Sequence, residues 1–274
     1  MRILGISRAE LFSPNRITDD RAVFQAVASE LNSRGYEVIC LSETELANKG
    51  IPAGTDSIFQ MARSGKALSV IGQVQISVTN TVQAVLNCSR AAQISILQGP
   101  GLIPESMICI TDCVPSGWNC YPCWIKRADS HAVESDDVLY VHDQVECAVA
   151  MKGLAVRGIR ECVLQSHAKG WLVKFYGVKG YGLVDCYAAT EKDGKFGLER
   201  YNDSPDTASV DFSLLASVTD RAAGLLGVEV YGGDAVVGPD GTISIVDMND
   251  WPSFRTCTVG AAQKIADLII GKLR

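Results

Sequence analysis

The sequence predicts a mixed fold in which one α/β lobe is followed by two α+β lobes. The chain opens with an apolar strand, an amphipathic helix, Gly35 and a second strand, which is how a parallel α/β sheet begins. Prolines and a glycine interrupt the pattern around residues 113–122. Beyond that interruption, strand pairs alternate with helices, as is typical of α+β lobes. We therefore place the lobes at residues 1–112, 118–165 and 166–274.

The apolar residues of the first lobe define its order of elements. MRILGI predicts a buried strand, and the next helix has Val23, Val27 and Leu31 on one face. A second strand is predicted over residues 36–41, and TDSIFQMARSG predicts a further helix that ends at Gly65. A long helix over TNTVQAVLNCSRAAQISILQ then leads to a strand in MICIT.

The other two lobes continue with strands in pairs. The second lobe has the strand CWIKR, the helix VHDQVECAVAMKGLAVRG and the strand ECVLQSH. The third has the strand pair KGWLVKFYGV and GLVDCYAAT, a polar loop EKDGKFGLERYNDSPDTAS and the helix FSLLASVTDRAAGLLG. A hairpin within GGDAVVGPDGTISIVDMND and the helix VGAAQKIADLIIGKLR follow.

Composition excludes several classes of function. Apolar content of 47% and a mean hydropathy of +0.13 fit a globular protein, and no apolar run reaches the roughly 18 residues of a membrane span. The N-terminus lacks a signal peptide's apolar core, so we expect a cytoplasmic protein with no membrane partner. With 25 basic against 31 acidic residues and no basic run, we expect no nucleic-acid partner. The ten cysteines are scattered, and several lie in apolar strand-like runs, so buried free thiols are expected. The cluster of Cys113, Cys120 and Cys123 lacks the second pair that a zinc site usually needs, so no metal is expected there.

The predicted hairpin ends in acidic and amide side chains. Alternation along its second strand places Asp247 and Asn249 on one face. A two-residue turn sets Asp234 directly opposite Asp247, and a four-residue turn sets it diagonally. Both turns bring all three side chains to one face, whereas a three-residue turn does not. Asp250 falls on the opposite face and is interpreted as a turn residue.

Adjacent carboxylates repel each other, and a divalent cation removes the conflict. Mg²⁺ favours one or two carboxylates together with phosphate oxygens. Two lysines on earlier strands, Lys126 and Lys174, add the cations that phosphates require. The competing interpretations are a polar strand end at the surface and solvated lysines on strand edges.

The order of these segments resembles that of the ATP-grasp superfamily over most of the chain, from about residue 1 to 274. The segments that carry the resemblance are the first lobe, WIKR, VLQSHAKGWLVKFYGV and VYGGDAVVGPDGTISIVDMNDWPSF. VLQSHAKGWLVKFYGV followed by the Asp…Asp-x-Asn-x-x-Pro ending resembles the inositol-phosphate kinase branch most closely, and a similar ending occurs in glutathione-synthetase-like and RimK-like ligases. The resemblance implies an ATP-grasp fold, with a Rossmann-like pre-ATP-grasp lobe and two α+β lobes that clasp ATP.

The resemblance also implies roles for individual residues. Asp234, Asp247 and Asn249 would coordinate one or two Mg²⁺ ions that bridge the phosphates of ATP. Lys126 and Lys174 would bind the α- and β-phosphates. Asp247 stands where glutamate is frequent, which leaves the number of metal ions open.

The base of ATP would meet the hinge between the second and third lobes. Backbone groups of this hinge would contact the adenine edge; its residues are Val163, Leu164, Gln165 and Ser166. Gln165 and His167 are candidate side-chain contacts, although an exposed loop position for His167 is the alternative. The sequence departs from the family after Lys126, where RADSHAVESDDV has no glycine. His131 there is a candidate contact for phosphate or substrate, or a helix-entry residue.

The activity implied by the resemblance is that of a carboxylate–amine or carboxylate–thiol ligase. It would use ATP and Mg²⁺ and act through an acyl phosphate on a small-molecule or peptide acceptor. A small-molecule kinase and a non-catalytic ATP-binding module are the alternatives. Arg255 is the first candidate for a catalytic cation near the acceptor and Arg200 the second, each with a structural role as its alternative. A homodimer stays open as the assembly.

Overall fold

The computed structural model describes residues 1–13, 16–128, 134–189, 198–203 and 210–273. Its strands are β1 (Arg2–Ser7), β2 (Glu37–Ser42), β3 (Ser57–Gln60), β4 (Ser77–Thr79), β5 (Ser106–Ile110), β6 (Cys123–Arg127), β7 (Val138–Val141), β8 (Glu161–Ser166), β9 (Trp171–Val178), β10 (Gly182–Ala188), β11 (Val230–Val237) and β12 (Ile243–Asp250). Its α-helices are α1 (Ile17–Ser33), α2 (Glu43–Lys49), α3 (Gly65–Ile71), α4 (Val82–Asn87), α5 (Arg90–Leu97), α6 (Gln144–Val156), α7 (Phe212–Leu226) and α8 (Thr258–Gly271).

The first sheet is parallel and has the strand order β2-β1-β3-β4. Its central strand β1 has Ile3, Leu4 and Ile6 fully buried, because helices cover both faces of such a sheet. This confirms the predicted α/β opening of the chain.

Two predicted helices of the first lobe differ from the structure. Residues 57–60 form β3, a fully buried strand, where a helix was predicted over 55–65. A short apolar run does not reveal its periodicity, and pairing with β1 and β4 decides in favour of a strand. The helix predicted over 79–98 is two helices, because the Ser89 side chain accepts a hydrogen bond from the Ala92 N–H and caps α5.

The second sheet is antiparallel, with the strand order β5-β8-β6-β7. Its edge strand β5 pairs with β8, so residues 106–110 lie in this sheet and not in the first lobe, where the division at residue 112 places them. For a strand at the end of a predicted lobe, the local sequence pattern does not indicate which sheet the strand joins.

The third sheet is also antiparallel, with the order β10-β9-β11-β12. One apolar cluster joins it to the first lobe, since Phe24 and Phe59 pack with Trp251, Phe254 and the buried side of α8. The first and third lobes therefore share a core, which fixes the first lobe against the end of β12. No helix in the described part of the chain is long and apolar enough to span a membrane.

Candidate active site

The acidic hairpin forms a row of charged side chains across the third sheet. Asp234 on β11 lies directly opposite Asp247 on β12, and on its other side it lies opposite Lys174 on β9. Lys174 Nζ donates to Asp234 Oδ1 over 2.7 Å. Asn249 Nδ2 donates to Asp247 Oδ2 over 2.8 Å. The predicted metal ligands and one predicted phosphate lysine are therefore neighbours.

The hairpin reaches this register in a way that the predicted turns did not include. The Gly238 N–H donates to the Thr242 carbonyl over 2.8 Å, so the turn has three residues, and Gly241 adopts a φ of 83°. Such a turn alone would put Asp234 and Asp247 on opposite faces. A register shift between Asp234 and Ala235 leaves Val246 as an extra residue on β12. This β-bulge restores the pairing of the two carboxylates.

Lys126 reaches the same place from the second sheet. Its Nζ donates to the carbonyl of the bulged residue Val246 over 3.1 Å and to Gln165 Oε1 over 2.7 Å. Burial, followed by the nearby charge of Arg90, lowers the pKa of Lys126 to about 8, although Asp247 and Asp234 act in the opposite direction. The bulge thus supplies a carbonyl that anchors the second lysine.

The predicted hinge residues lie in the middle of the second sheet. Val163 and Leu164 are buried, and β8 pairs with β5 on one side and β6 on the other. Their backbone groups therefore belong to the sheet, which leaves no N–H at these two positions for an adenine edge. The backbone N–H groups at the end of β8 and just after it are also bonded, because Ser166 donates to the Glu105 carbonyl and His167 to the Pro122 carbonyl.

Side chains of the hinge segment are held by their neighbours. Gln165 Nε2 donates to Ser106 Oγ over 3.1 Å while its Oε1 accepts from Lys126. His167 Nδ1 accepts from Trp124 Nε1 over 3.2 Å, and burial lowers the pKa of His167. Gln165 therefore positions Lys126, and His167 orients an indole that faces the cleft. The partly buried position of His167 does not match the alternative of an exposed loop histidine.

A cleft of about 960 Å³ lies over these groups and is lined by residues of all three lobes. Its cationic lining combines the two predicted lysines with five arginines: Arg8, Arg16, Arg63, Arg90, Lys126, Lys174 and Arg255. Arg8 lies in the loop after the first strand, GISRAELFSPNR, whose position predicts that it closes over the acceptor, whereas Arg63 was missed in the sequence. The available signal for Arg63 was the same: it follows β3, at the carboxyl end of a parallel strand.

Two of these arginines hold the end of β12. Arg63 Nη2 lies 2.6 Å from Oδ1 of Asp250, whose side chain is fully buried. Arg8 Nη2 donates to the Trp251 carbonyl over 3.1 Å, and its Nη1 pairs with Asp20 at 3.0 Å. Asp250 is therefore the last residue of a strand and part of a buried ion pair. The interpretation of Asp250 as a turn residue was wrong, because parity along a strand does not show which lobe covers each face.

The two predicted catalytic arginines have different surroundings. Arg255 lines the cleft, and its Nε and Nη2 donate to the Tyr187 hydroxyl over 3.2 and 3.1 Å. Arg200 is exposed, lies over the ring of Tyr201 at 5.0 Å and is not among the side chains that line the cleft. His131 lies outside the described residues.

Solved structures that resemble this one cover nearly the whole chain. A RimK-domain ATP-grasp protein from Sphaerobacter thermophilus is 17% identical, with a TM-score of 0.67 over 99% of this chain and 100% of its own. D-alanine–D-alanine ligase from Bacillus anthracis, solved with ATP, is 15% identical, with a TM-score of 0.69 over 100% and 97%. The ATP-grasp ligase PsnB, solved with the precursor peptide PsnA2 and AMPPNP, is 15% identical, with a TM-score of 0.65 over 100% and 97%.

No protein-family model and no curated protein matches the chain. At identities of 17% and below, the structural likeness establishes the fold alone.

Proposed function

This chain has the ATP-grasp fold, as its sequence predicts, and on that premise we propose that it is an ATP- and Mg²⁺-dependent ligase that joins a carboxylate to an amine or a thiol. The observation that carries the proposal is the arrangement at the third sheet. Asp234 and Asp247 face each other there, with Lys174 on the same row and Lys126 reaching in from the second sheet.

The acidic pair fits a magnesium site that is shared with a nucleotide. Two carboxylates on facing strands repel, and the bonds from Lys174 and from the Asn249 amide offset only part of that charge. Mg²⁺ takes one or two carboxylates and completes its octahedron with phosphate oxygens and water. Asp234, Asp247 and Asn249 would hold it, and the ion would neutralise charge on the transferring phosphoryl group.

The phosphates would lie between the lysines of the second and third sheets. Lys126 and Lys174 face the cleft, and Arg90 adds a cation beside Lys126. The base would lie against Trp124 and Ala168, which also line the cleft. This placement replaces the backbone contacts expected at Val163 and Leu164.

The acceptor would bind at the other end of the cleft, next to the first lobe. An oxygen of its carboxylate attacks the γ-phosphorus of ATP, so that ADP leaves and an acyl phosphate forms. The amine or thiol then attacks the carbonyl carbon, and inorganic phosphate leaves. Arg255 lies beside the end of β12 and would stabilise negative charge on the acyl group, while the Tyr187 hydroxyl fixes its orientation.

The cations at the acceptor end favour a ligase over a kinase for polyphosphorylated substrates. Arg8 pairs with Asp20 and Arg63 pairs with Asp250, so these two arginines are already neutralised by the protein. A substrate with several phosphates needs a surplus of cations. A single carboxylate does not. The PsnB complex, whose ligand is a precursor peptide, supports including peptides among the acceptors to be tested.

Trapping of the acyl phosphate tests this function. The protein is incubated with ATP, Mg²⁺, hydroxylamine and pools of amino acids, small carboxylates, peptides and polyols. We expect one pool to give an acyl hydroxamate together with equimolar ADP. Phosphate transferred stably to a polyol, with no hydroxamate from any acid, would contradict the ligase and favour the kinase.

A further inference from the structure

The strand that carries two of the proposed metal ligands lies at the edge of its sheet. β12 pairs with β11 on one side, so the outward backbone groups of β12 need other partners. Near its start, the Ile245 N–H donates to the Leu102 carbonyl over 2.8 Å, and the bulged Val246 carbonyl accepts from Lys126. The edge of this strand is therefore bound by other parts of the chain.

Gln93 on α5 bonds this edge between the two ligands. Its Oε1 accepts from the Met248 N–H over 3.1 Å, and its Nε2 donates to the Met248 carbonyl over 2.8 Å. Nε2 also donates to the Cys88 carbonyl over 2.7 Å, at the end of the preceding helix. A primary amide has one acceptor and two donors, so it pairs with Met248 as a neighbouring strand would.

Met248 connects the two proposed ligands of β12 along the backbone. It lies between Asp247 and Asn249, and its own side chain is fully buried on the face away from the cleft. Gln93 is also buried, with 6% exposure, so water does not readily replace its bonds. A displacement of the Met248 backbone would therefore move the side chains on both sides of it.

We propose that Gln93 is a positioning residue that holds Asp247 and Asn249 in the geometry that the metal ion requires. This role rests on the function proposed above. Groups that orient metal ligands typically affect metal affinity about 10- to 100-fold when removed. Gln93 acts through the backbone, so its removal weakens metal binding while it leaves the lysines that bind phosphate in place.

The test separates metal binding from nucleotide binding. Gln93→Met removes all three hydrogen bonds at nearly constant volume, and Gln93→Glu keeps an acceptor for the Met248 N–H but loses the donor. Gln83→Met on α4 is the control, because it makes the same change at an exposed glutamine, whose Nε2 donates to Asn87 Oδ1 over 2.8 Å. Mn²⁺ binding is followed by electron paramagnetic resonance with AMPPNP present. Binding of AMPPNP without metal is measured by calorimetry, and protection of the Met248 amide is measured by hydrogen–deuterium exchange.

We expect the Mn²⁺ dissociation constant of Gln93→Met to rise about 10-fold or more, with metal-free AMPPNP affinity unchanged and the Met248 amide deprotected. Gln93→Glu, which serves if the first variant does not fold, gives a rise in the same direction. Unchanged Mn²⁺ affinity in both variants would overturn the inference, as would equal losses of metal and nucleotide affinity. A wild-type protein that binds neither Mn²⁺ nor AMPPNP would instead refute the proposed function itself, and the role of Gln93 with it.

Discussion

Replacement of Gly232 by alanine should destabilise the protein where β11 packs against Pro252, in the loop after β12. A Cβ at this position would lie 2.7 Å from the Phe175 carbonyl oxygen and 2.7 and 2.9 Å from two ring carbons of Pro252. Real Cβ contacts are not this short, so either the sheet or the loop after β12 must shift. Overpacking of this kind costs about 1–3 kcal/mol, and three close atoms place Gly232→Ala near the upper end.

The melting temperature gives the assay. At about 2–4 °C per kcal/mol, a loss near 3 kcal/mol lowers Tm by about 6–12 °C. Gly224→Ala is the matched control, because Gly224 is exposed in α7 with no heavy atom within 4 Å of an added Cβ. That control should be neutral or gain up to about 1 kcal/mol from helix propensity. A Gly232→Ala protein as stable as wild type would refute the packing between β11 and Pro252.

Two further predictions concern charge. Asp250→Asn removes one partner of the buried pair with Arg63 and should lower the free energy of unfolding, measured by urea denaturation, by about 3–5 kcal/mol. Glu10→Ala at the exposed pair with Arg21 is the control and should lower it by less than about 1 kcal/mol. Similar losses in the two variants would contradict the burial of Asp250. Burial and the charge of Arg90 lower the pKa of Lys126 to about 8, and phosphate binds the charged form of the lysine. Affinity for metal-free ATP should therefore be steady between about pH 7 and pH 8, where the ATP phosphates keep their charge, and should fall by up to about tenfold per pH unit above pH 8. Calorimetry across that range checks this, with Lys126→Arg expected to stay flat because arginine keeps its charge; a wild-type affinity that is flat above pH 8 would contradict it.

Much of the arrangement of these side chains could be predicted, because side chains alternate between the two faces of a strand. Alternation brought Asp247 and Asn249 to one face, and the acidic hairpin with Lys174 on an earlier strand indicated a phosphate and metal site. The route to the register could not be predicted. A three-residue turn and a bulge at Val246 compensate each other, and no residue type in that segment signals an extra residue.

Contacts between lobes account for what the sequence did not reveal. Arg63 and Asp250 are far apart in the chain, and so are Gln93 and Met248, so no local pattern connects them. The strand at residues 57–60 was missed because its identity depends on pairing with β1 and β4 inside the first sheet, which no local pattern shows. Local periodicity predicts elements and faces, whereas partners across the cleft depend on the assembled fold.

Binding of ATP with Mg²⁺ tests the central claim most directly, through the melting temperatures of wild type and of Asp247→Ala and Asn249→Ala. ATP at about 100 times its dissociation constant adds about 2.7 kcal/mol, and we expect a rise in Tm of about 5–10 °C for wild type with Mg²⁺. The rise should be much smaller in both variants and when EDTA replaces Mg²⁺. A wild-type protein whose Tm does not respond to ATP and Mg²⁺ would contradict a nucleotide and metal site on the third sheet.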